Sequence, residues 1–137
     1  MRVYFDSSAF AKRLVDESGS AAVERLCSEA TELGVGVLCV PEIVSALNRR
    51  RRERRLTRTQ YDAAKRSLIE DVRDADIVNL TTSVVAASIV VLEAGPVRAL
   101  DALHIGCALE WEADLFVSSD KRQLTAARRA GLKTRKA

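Results

Sequence analysis

The sequence predicts an α/β domain built on a mainly parallel sheet of four to five strands flanked by helices. Short runs of β-branched and apolar residues alternate with longer segments of helical period, and turn residues separate the two kinds. Composition bounds the answer further. The 137 residues are 47% apolar and 30% charged, with two prolines and six glycines, which suits one folded domain and excludes a disordered chain.

Arg2 to Phe5 reads as the first strand, and a helix starting at Ser8 carries Phe10, Leu14 and Val15 on one face. A second helix runs from Ser20 to Glu32. Gly36 to Val40 reads as the next strand, after which Pro41 suits the first turn of a helix, where its missing N–H would have no partner anyway. That helix runs into a series of arginines. Thr57 reads as the N-cap of a helix reaching about Val72, and Ile77 to Leu80 as a third strand. Thr82 to Ala94 is an apolar helix closed by Gly95 and Pro96, and Arg98 to Glu112 is the next, with Ala102, Ile105, Cys107 and Leu109 on its buried side. Leu115 to Ser118 forms a fourth strand, Lys121 to Ala130 a helix, and Leu132 to Lys136 an edge strand.

Several classes of protein are disfavoured. Charge at Arg2, Asp6 and Lys12 leaves no apolar stretch long enough for a signal peptide. The longest uncharged run, Ile77 to Leu92, includes five polar residues and falls short of the ~20 apolar residues of a membrane span. Cys27, Cys39 and Cys107 are odd in number and unpaired in spacing, so they read as buried thiols in a reducing cytoplasm. A cytoplasmic protein without a membrane segment is expected.

The chemistry concentrates in four carboxylates. Asp6, Glu42 and Asp120 each fall where a strand hands over to a helix, the edge at which open parallel sheets bind ligands. Asp101 lies in the opening turn of a helix. Any one of them is explained by helix capping, because acids are favoured at helix N-termini. Four at equivalent ends point to one acidic pocket, which needs a cation, a shared proton or abundant water to offset the repulsion.

The motifs around these acids resemble those of the PIN-domain ribonucleases, and most closely the VapC-type toxins of bacterial toxin–antitoxin pairs. An apolar strand followed by Asp6-Ser7-Ser8 is similar to the family's first motif, and Pro41 to Arg49, P-E-I-V-S-A-L-N-R, to its second. Asp101 to Ala108, D-A-L-H-I-G-C-A, resembles the third. Leu115 to Asp120, L-F-V-S-S-D, resembles the last, with Ser118 where the family usually carries threonine. The resemblance spans nearly the whole chain and implies a PIN-like three-layer sandwich over residues 1 to 137.

It also implies a metal-dependent endoribonuclease in which Asp6, Glu42, Asp101 and Asp120 are catalytic. Hard carboxylate oxygens without histidine or cysteine partners suit Mg²⁺ or Mn²⁺ better than zinc. Asp6 and Asp101 are the expected direct ligands, Asp120 completes the site, and Glu42 binds through water or orients the attacking water. In-line attack would leave a 5′-phosphate and a 3′-hydroxyl. Ser118 and Ser8 are candidates to hydrogen-bond the carboxylates, although Ser8 equally suits a helix cap. His104, on the Asp101 helix, reads as a packed core histidine and is left outside the catalytic set.

The charge distribution bears on the partner. Between Asn48 and Arg66 nine Lys or Arg face two acids, a net +7, whereas the rest of the chain, with 13 basic and 17 acidic residues, carries −4. Six arginines between Arg49 and Arg55 surround their helix, so they suit either phosphate contact or an antitoxin-binding surface. Arg49, Arg50 and Arg52 are the candidate RNA contacts. They are expected to rim the pocket, because they follow Glu42 by two turns.

With aromatics at 4%, backbone charge and shape should outweigh base stacking. The resemblance further implies an antitoxin partner and a homodimer. A phosphotransferase using Asp6 as nucleophile is disfavoured because Ser8 stands where such sites carry a second acid, and a non-catalytic RNA-binding domain because all four acids are present. A DNA-directed nuclease would share the same chemistry.

Overall fold

In the computed structural model, which describes residues 1–137, the strands and helices alternate as the periodicities require. The order is β1 (Arg2–Phe5), α1 (Ser7–Phe10), α2 (Ser20–Glu29), β2 (Glu32–Gly36), α3 (Cys39–Arg52) and α4 (Arg58–Asp71). It continues with β3 (Asp76–Val78), α5 (Thr82–Ala94), α6 (Ala99–Glu110), β4 (Leu115–Ser118), α7 (Lys121–Arg129) and β5 (Thr134–Lys136). The five strands form one fully parallel sheet in the order β3-β2-β1-β4-β5. Chain order therefore reverses between β1 and β4. No helix is long and apolar enough to cross a membrane.

Alternation along the central strands divides the core into two layers. Val3 and Phe5 of β1 and Leu115 and Val117 of β4 face one side, where they pack with Phe10 of α1, Val23 of α2, Ile43 of α3 and Leu68 of α4. Tyr4 and Phe116 face the other, stacked at 5.7 Å between ring centroids, against α5, α6 and α7. The result is the expected three-layer sandwich.

Local sequence explains most boundaries. Thr57 caps α4 with a full capping box, its hydroxyl accepting from Gln60 N and the Gln60 side chain accepting from Thr57 N. Thr81 caps α5 in the same sense, through Val84 N at 3.2 Å.

The expected second strand is misplaced. β2 ends at Gly36, where Gly36 to Val40 was expected to begin, and Cys39 and Val40 instead open α3. The reason is tertiary. Glycine is a poor strand former, but a Cβ at Gly34 would lie 2.8 Å from the Trp111 ring and one at Gly36 2.7 Å from Tyr4 Oη, so bulky neighbours fill the space that side chains would take. In consequence α2 stops at Glu29 and leaves Glu32 to start β2, and β3 spans Asp76–Val78 rather than Ile77 to Leu80. The first helix starts at Ser7 and passes into a 3₁₀ turn, Ala11–Arg13, before Leu14. Cys39 and Cys107 are buried as expected, whereas Cys27 is only half-buried.

Three helices end in the same left-handed motif. After α3, Arg54 has φ 58°, with Arg55 N donating to Arg50 O and Arg54 N to Arg51 O; after α6, Glu112 has φ 57°, with Ala113 N donating to Ala108 O. Only α7 places a glycine there, Gly131. Glu112 has just a 3.9 Å exposed contact to Arg2 to lose. Glu112→Gly is therefore expected to stabilise the protein by about 1 kcal/mol, read as a higher urea midpoint at unchanged m-value.

Candidate active site

The four acids meet at the carboxyl edge of the sheet, each at a helix start. Asp6 is the N-cap of α1, Glu42 lies in the first turn of α3, Asp101 in that of α6, and Asp120 is the N-cap of α7. Capping and site membership thus coincide. Asp6 and Asp120 follow β1 and β4, the two strands between which the sheet order reverses, the place where open parallel sheets form their ligand crevice.

Asp6 is the most enclosed, at 4% exposure. Its carboxylate accepts from Ala9 N at 2.8 Å, Ser118 Oγ at 2.7 Å, and Ser8 Oγ at 2.8 and 2.9 Å to its two oxygens. Ser8 therefore binds the carboxylate, and the helix cap is Asp6 itself. Burial pushes the Asp6 carboxyl above its ordinary 3.8, against the opposing hydrogen bonds from Ser118, Ala9 and Ser8. Ser118 is the hub. Its oxygen also accepts from Asp120 N at 3.0 Å and lies 3.0 Å from Gln123 Oε1, while Gln123 Nε2 donates to Asp101 O at 3.3 Å.

Asp101 and Asp120 share a cation. Arg98 donates from Nε to Asp101 Oδ2 at 2.9 Å, and its Nη2 lies 3.5 Å from Asp120 Oδ2. With Asp6 turned toward its serines and this pair turned toward Arg98, no three Asp, Glu, His or Cys side chains converge on a single ion-sized point.

Glu42 belongs to a separate chain of hydrogen bonds. Its Oε1 accepts from His104 Nε2 at 2.6 Å and from Ser7 Oγ at 2.9 Å, and His104 Nδ1 lies 3.0 Å from Tyr4 Oη. A carboxylate only accepts, so Nε2 carries the proton, and in the neutral ring Nδ1 accepts from the tyrosine. Burial alone would raise Glu42, but the hydrogen bond and charge of His104, with Ser7 and Arg98, hold it below its ordinary 4.5.

His104 is the packed histidine that its apolar helix suggested, at 3% exposure, yet its polar end serves Glu42. Ser7, Arg98 and Gln123 are not among the site residues that the sequence suggested. Arg98 was legible through its i, i+3 spacing to Asp101, whereas the Ser7 and His104 contacts join residues 35 and 62 positions from Glu42. The arginine run, expected to rim the acids, forms no ion pair with any of the four. Arg49, Arg50 and Arg52 lie in the last turn of α3, about 10 to 15 Å along its axis from Glu42; Arg50 pairs with Glu17 at 3.7 Å, and Arg49 and Arg52 are exposed.

A parallel three-layer sandwich with helix-borne acids at its switch point defines a class of α/β domain with an acidic carboxyl-edge site. Residues 3–129 match the family model described as "PIN domain", and the chain belongs to that family. Two relatives from Mycobacterium tuberculosis, named Ribonuclease VapC45 and Ribonuclease VapC49, are each 32% identical over 131 residues, covering 94% of this chain and 91% of theirs. FitAcB from Neisseria gonorrhoeae shares the fold at TM-score 0.77 and 12% identity, over 96% of this chain and 95% of its own. VapC20 from Mycobacterium tuberculosis, a sarcin-ricin loop cleaving toxin, superposes at TM-score 0.69 and 15% identity, over 90% and 94%.

Because Glu42 is held below 4.5, the stability it contributes is present above that value and is lost as pH falls through its lower folded value. His104→Ala removes the principal opposing donor. Glu42 is expected to titrate at higher pH in that variant than in the parent, followed by its ¹³C carboxyl shift.

Proposed function

We propose that this chain is a Mg²⁺- or Mn²⁺-dependent endoribonuclease and the toxin member of a toxin–antitoxin pair. The observation that carries the proposal is that Asp6, Glu42, Asp101 and Asp120 all stand at helix starts on one edge of the sheet, with Asp6 and Asp120 flanking its switch point, on a chain 32% identical to proteins named ribonuclease. Asp6, Asp101 and Asp120 would hold the ion. Two features suit them to it: Asp6 is buried with no basic side chain bonded to its carboxylate, and Asp101 and Asp120 already draw a cationic group, Arg98, between them. A divalent ion bound there supplies Lewis-acid stabilisation of the phosphate and a water acidic enough to attack at neutral pH.

The remaining work falls to the protein. Glu42 directs Oε1 to His104 and Ser7, which leaves Oε2 without a hydrogen bond and able to orient the attacking water. Ser118 and Ser8 fix the rotamer of Asp6. Arg98, at 78% side-chain exposure, is free to swing from the carboxylates to a phosphate oxygen.

The partner surfaces follow from exposure. Val85, Ile89 and Leu92 form an apolar stripe on the outer face of α5, at 42%, 48% and 40% exposure, suited to a second copy of the chain or to an antitoxin. Arg49 and Arg52 offer positive charge to RNA or to an acidic partner segment.

Two outcomes test the site. Asp6 lies above 3.8 when folded, so stability is greatest below that value and falls as pH rises through the raised one. In chelator the parent is therefore expected to lose more melting temperature between pH 4 and pH 7 than Asp6→Asn, which has no carboxyl to titrate there. Mg²⁺ or Mn²⁺ should then raise the melting temperature of the parent more than that of the variant; equal shifts would remove Asp6 from the site.

Asp101→Asn is expected to remain folded and lose cleavage of single-stranded RNA by at least ~100-fold, as should chelation of the parent. Induction of the parent, and not of this variant, should arrest bacterial growth. Full activity in the variant would refute the site assignment.

A further inference from the structure

A groove of about 610 Å³ opens from Asp101 between α6 and α7, and three of its lining side chains are arginines: Arg98, Arg122 and Arg129. Its only acid is Asp101. Arg122, Thr125 and Arg129 are spaced i, i+3, i+7 and so share one face of α7, while Gln123, Leu124, Ala126 and Ala127 form its buried face. Neither Arg122 nor Arg129 pairs with a carboxylate, in contrast to Arg2, Arg13, Arg50, Arg58 and Arg98.

The groove also accommodates its arginines. Gly95, at the end of α5, is extended, so no backbone strain calls for glycine there; a Cβ at that position would collide with the Arg129 guanidinium. The missing side chain is what lets Arg129 lie against the chain and face the concavity.

We infer that this groove holds the backbone of single-stranded RNA beside the scissile phosphate, with Arg122 and Arg129 each taking a neighbouring phosphate. The inference rests on the ribonuclease reading and assigns the strand's path within it. Arg122 and Arg129 are separated by about 10 Å along α7, and both reach a cleft that begins at Asp101. Two unpaired guanidinium groups lining a concavity match a polyanion that must pass the acidic edge without being repelled. Thr125 stands between them, its hydroxyl engaged with Lys121 O and Arg128. An acidic peptide segment is the competing occupant, but continuity with the carboxylates favours the strand to be cut.

The test measures binding of a fluorescein-labelled single-stranded RNA to the full chain in chelator, by anisotropy across a salt series, and its cleavage with Mg²⁺. Arg122→Gln/Arg129→Gln is expected to weaken binding about tenfold and to make the slope of log K against log salt shallower by about 1.4. In cleavage, KM should rise with kcat largely kept. Gly95→Ala, which displaces Arg129 without removing its charge, should show a smaller loss. Arg73→Ala, just before β3 at the opposite edge of the sheet, removes a charge far from the groove and serves as the control.

If the parent cleaves RNA and the double variant matches it in binding and KM, the groove assignment falls while the nuclease reading stands. A parent that neither binds nor cleaves RNA would overturn both. Undiminished RNA binding with lost binding of the co-expressed antitoxin would give the groove to a protein partner instead.

Discussion

The burial of Asp6 constrains the rest of the site. A carboxylate at 4% exposure must be met by donors, and the ones that meet it come from the start of α1 and the end of β4. Each such bond to a charge is worth roughly 1.5 to 3 kcal/mol, while desolvating the ion costs several. Its raised carboxyl shows burial winning over the donors. A backbone bond, Asp6 N to Val117 O at 3.0 Å, also ties the residue that follows β1 to β4. A fold that tolerates an undercompensated ion at the switch point of its sheet has placed a demand for positive charge at that edge.

The other acids divide the remaining tasks. Asp101 and Asp120, at 14% and 32% side-chain exposure, share the exposed Arg98 guanidinium. Glu42 is fixed from behind. The line Tyr4, His104, Glu42 runs from β1 through α6 to α3, and its geometry depends on Gly36, whose missing Cβ leaves room for the tyrosine hydroxyl. Core packing thereby sets the direction of a carboxylate at the surface, which explains why a histidine that looks purely structural bears on the chemistry.

Much of this was legible in the sequence because it is local. β1, α5 and β4 carry clear patterns, Thr57 announces its capping box, and the acids fall next to turns that any parallel sheet would require. What escaped was non-local. β2 contains Gly34 and Gly36, whose fitness depends on Trp111 and Tyr4 more than 30 residues away in either direction, and the stronger β pattern just after it belongs to a helix start. Gln123 illustrates the same limit: a polar residue at 1% exposure, it is intelligible only once Ser118 and the Asp101 carbonyl are seen around it.

The two groups of arginines differ in what they can do. Salt screens charge over about 8 Å at physiological strength, and the run at the end of α3 lies about 10 to 15 Å along the helix from Glu42. Arg50 is engaged by Glu17, and Arg51 lies 5.1 Å over the Tyr61 ring. Such a patch acts chiefly on encounter, drawing a polyanion toward the molecule at low salt. Arg98, by contrast, touches two of the acids, and Arg122 and Arg129 line the cleft that continues from them. Charge within hydrogen-bond reach keeps its effect when distant charge is screened, so in the proposed nuclease retention of the strand would fall to the smaller group even though most of the formal charge lies in the larger.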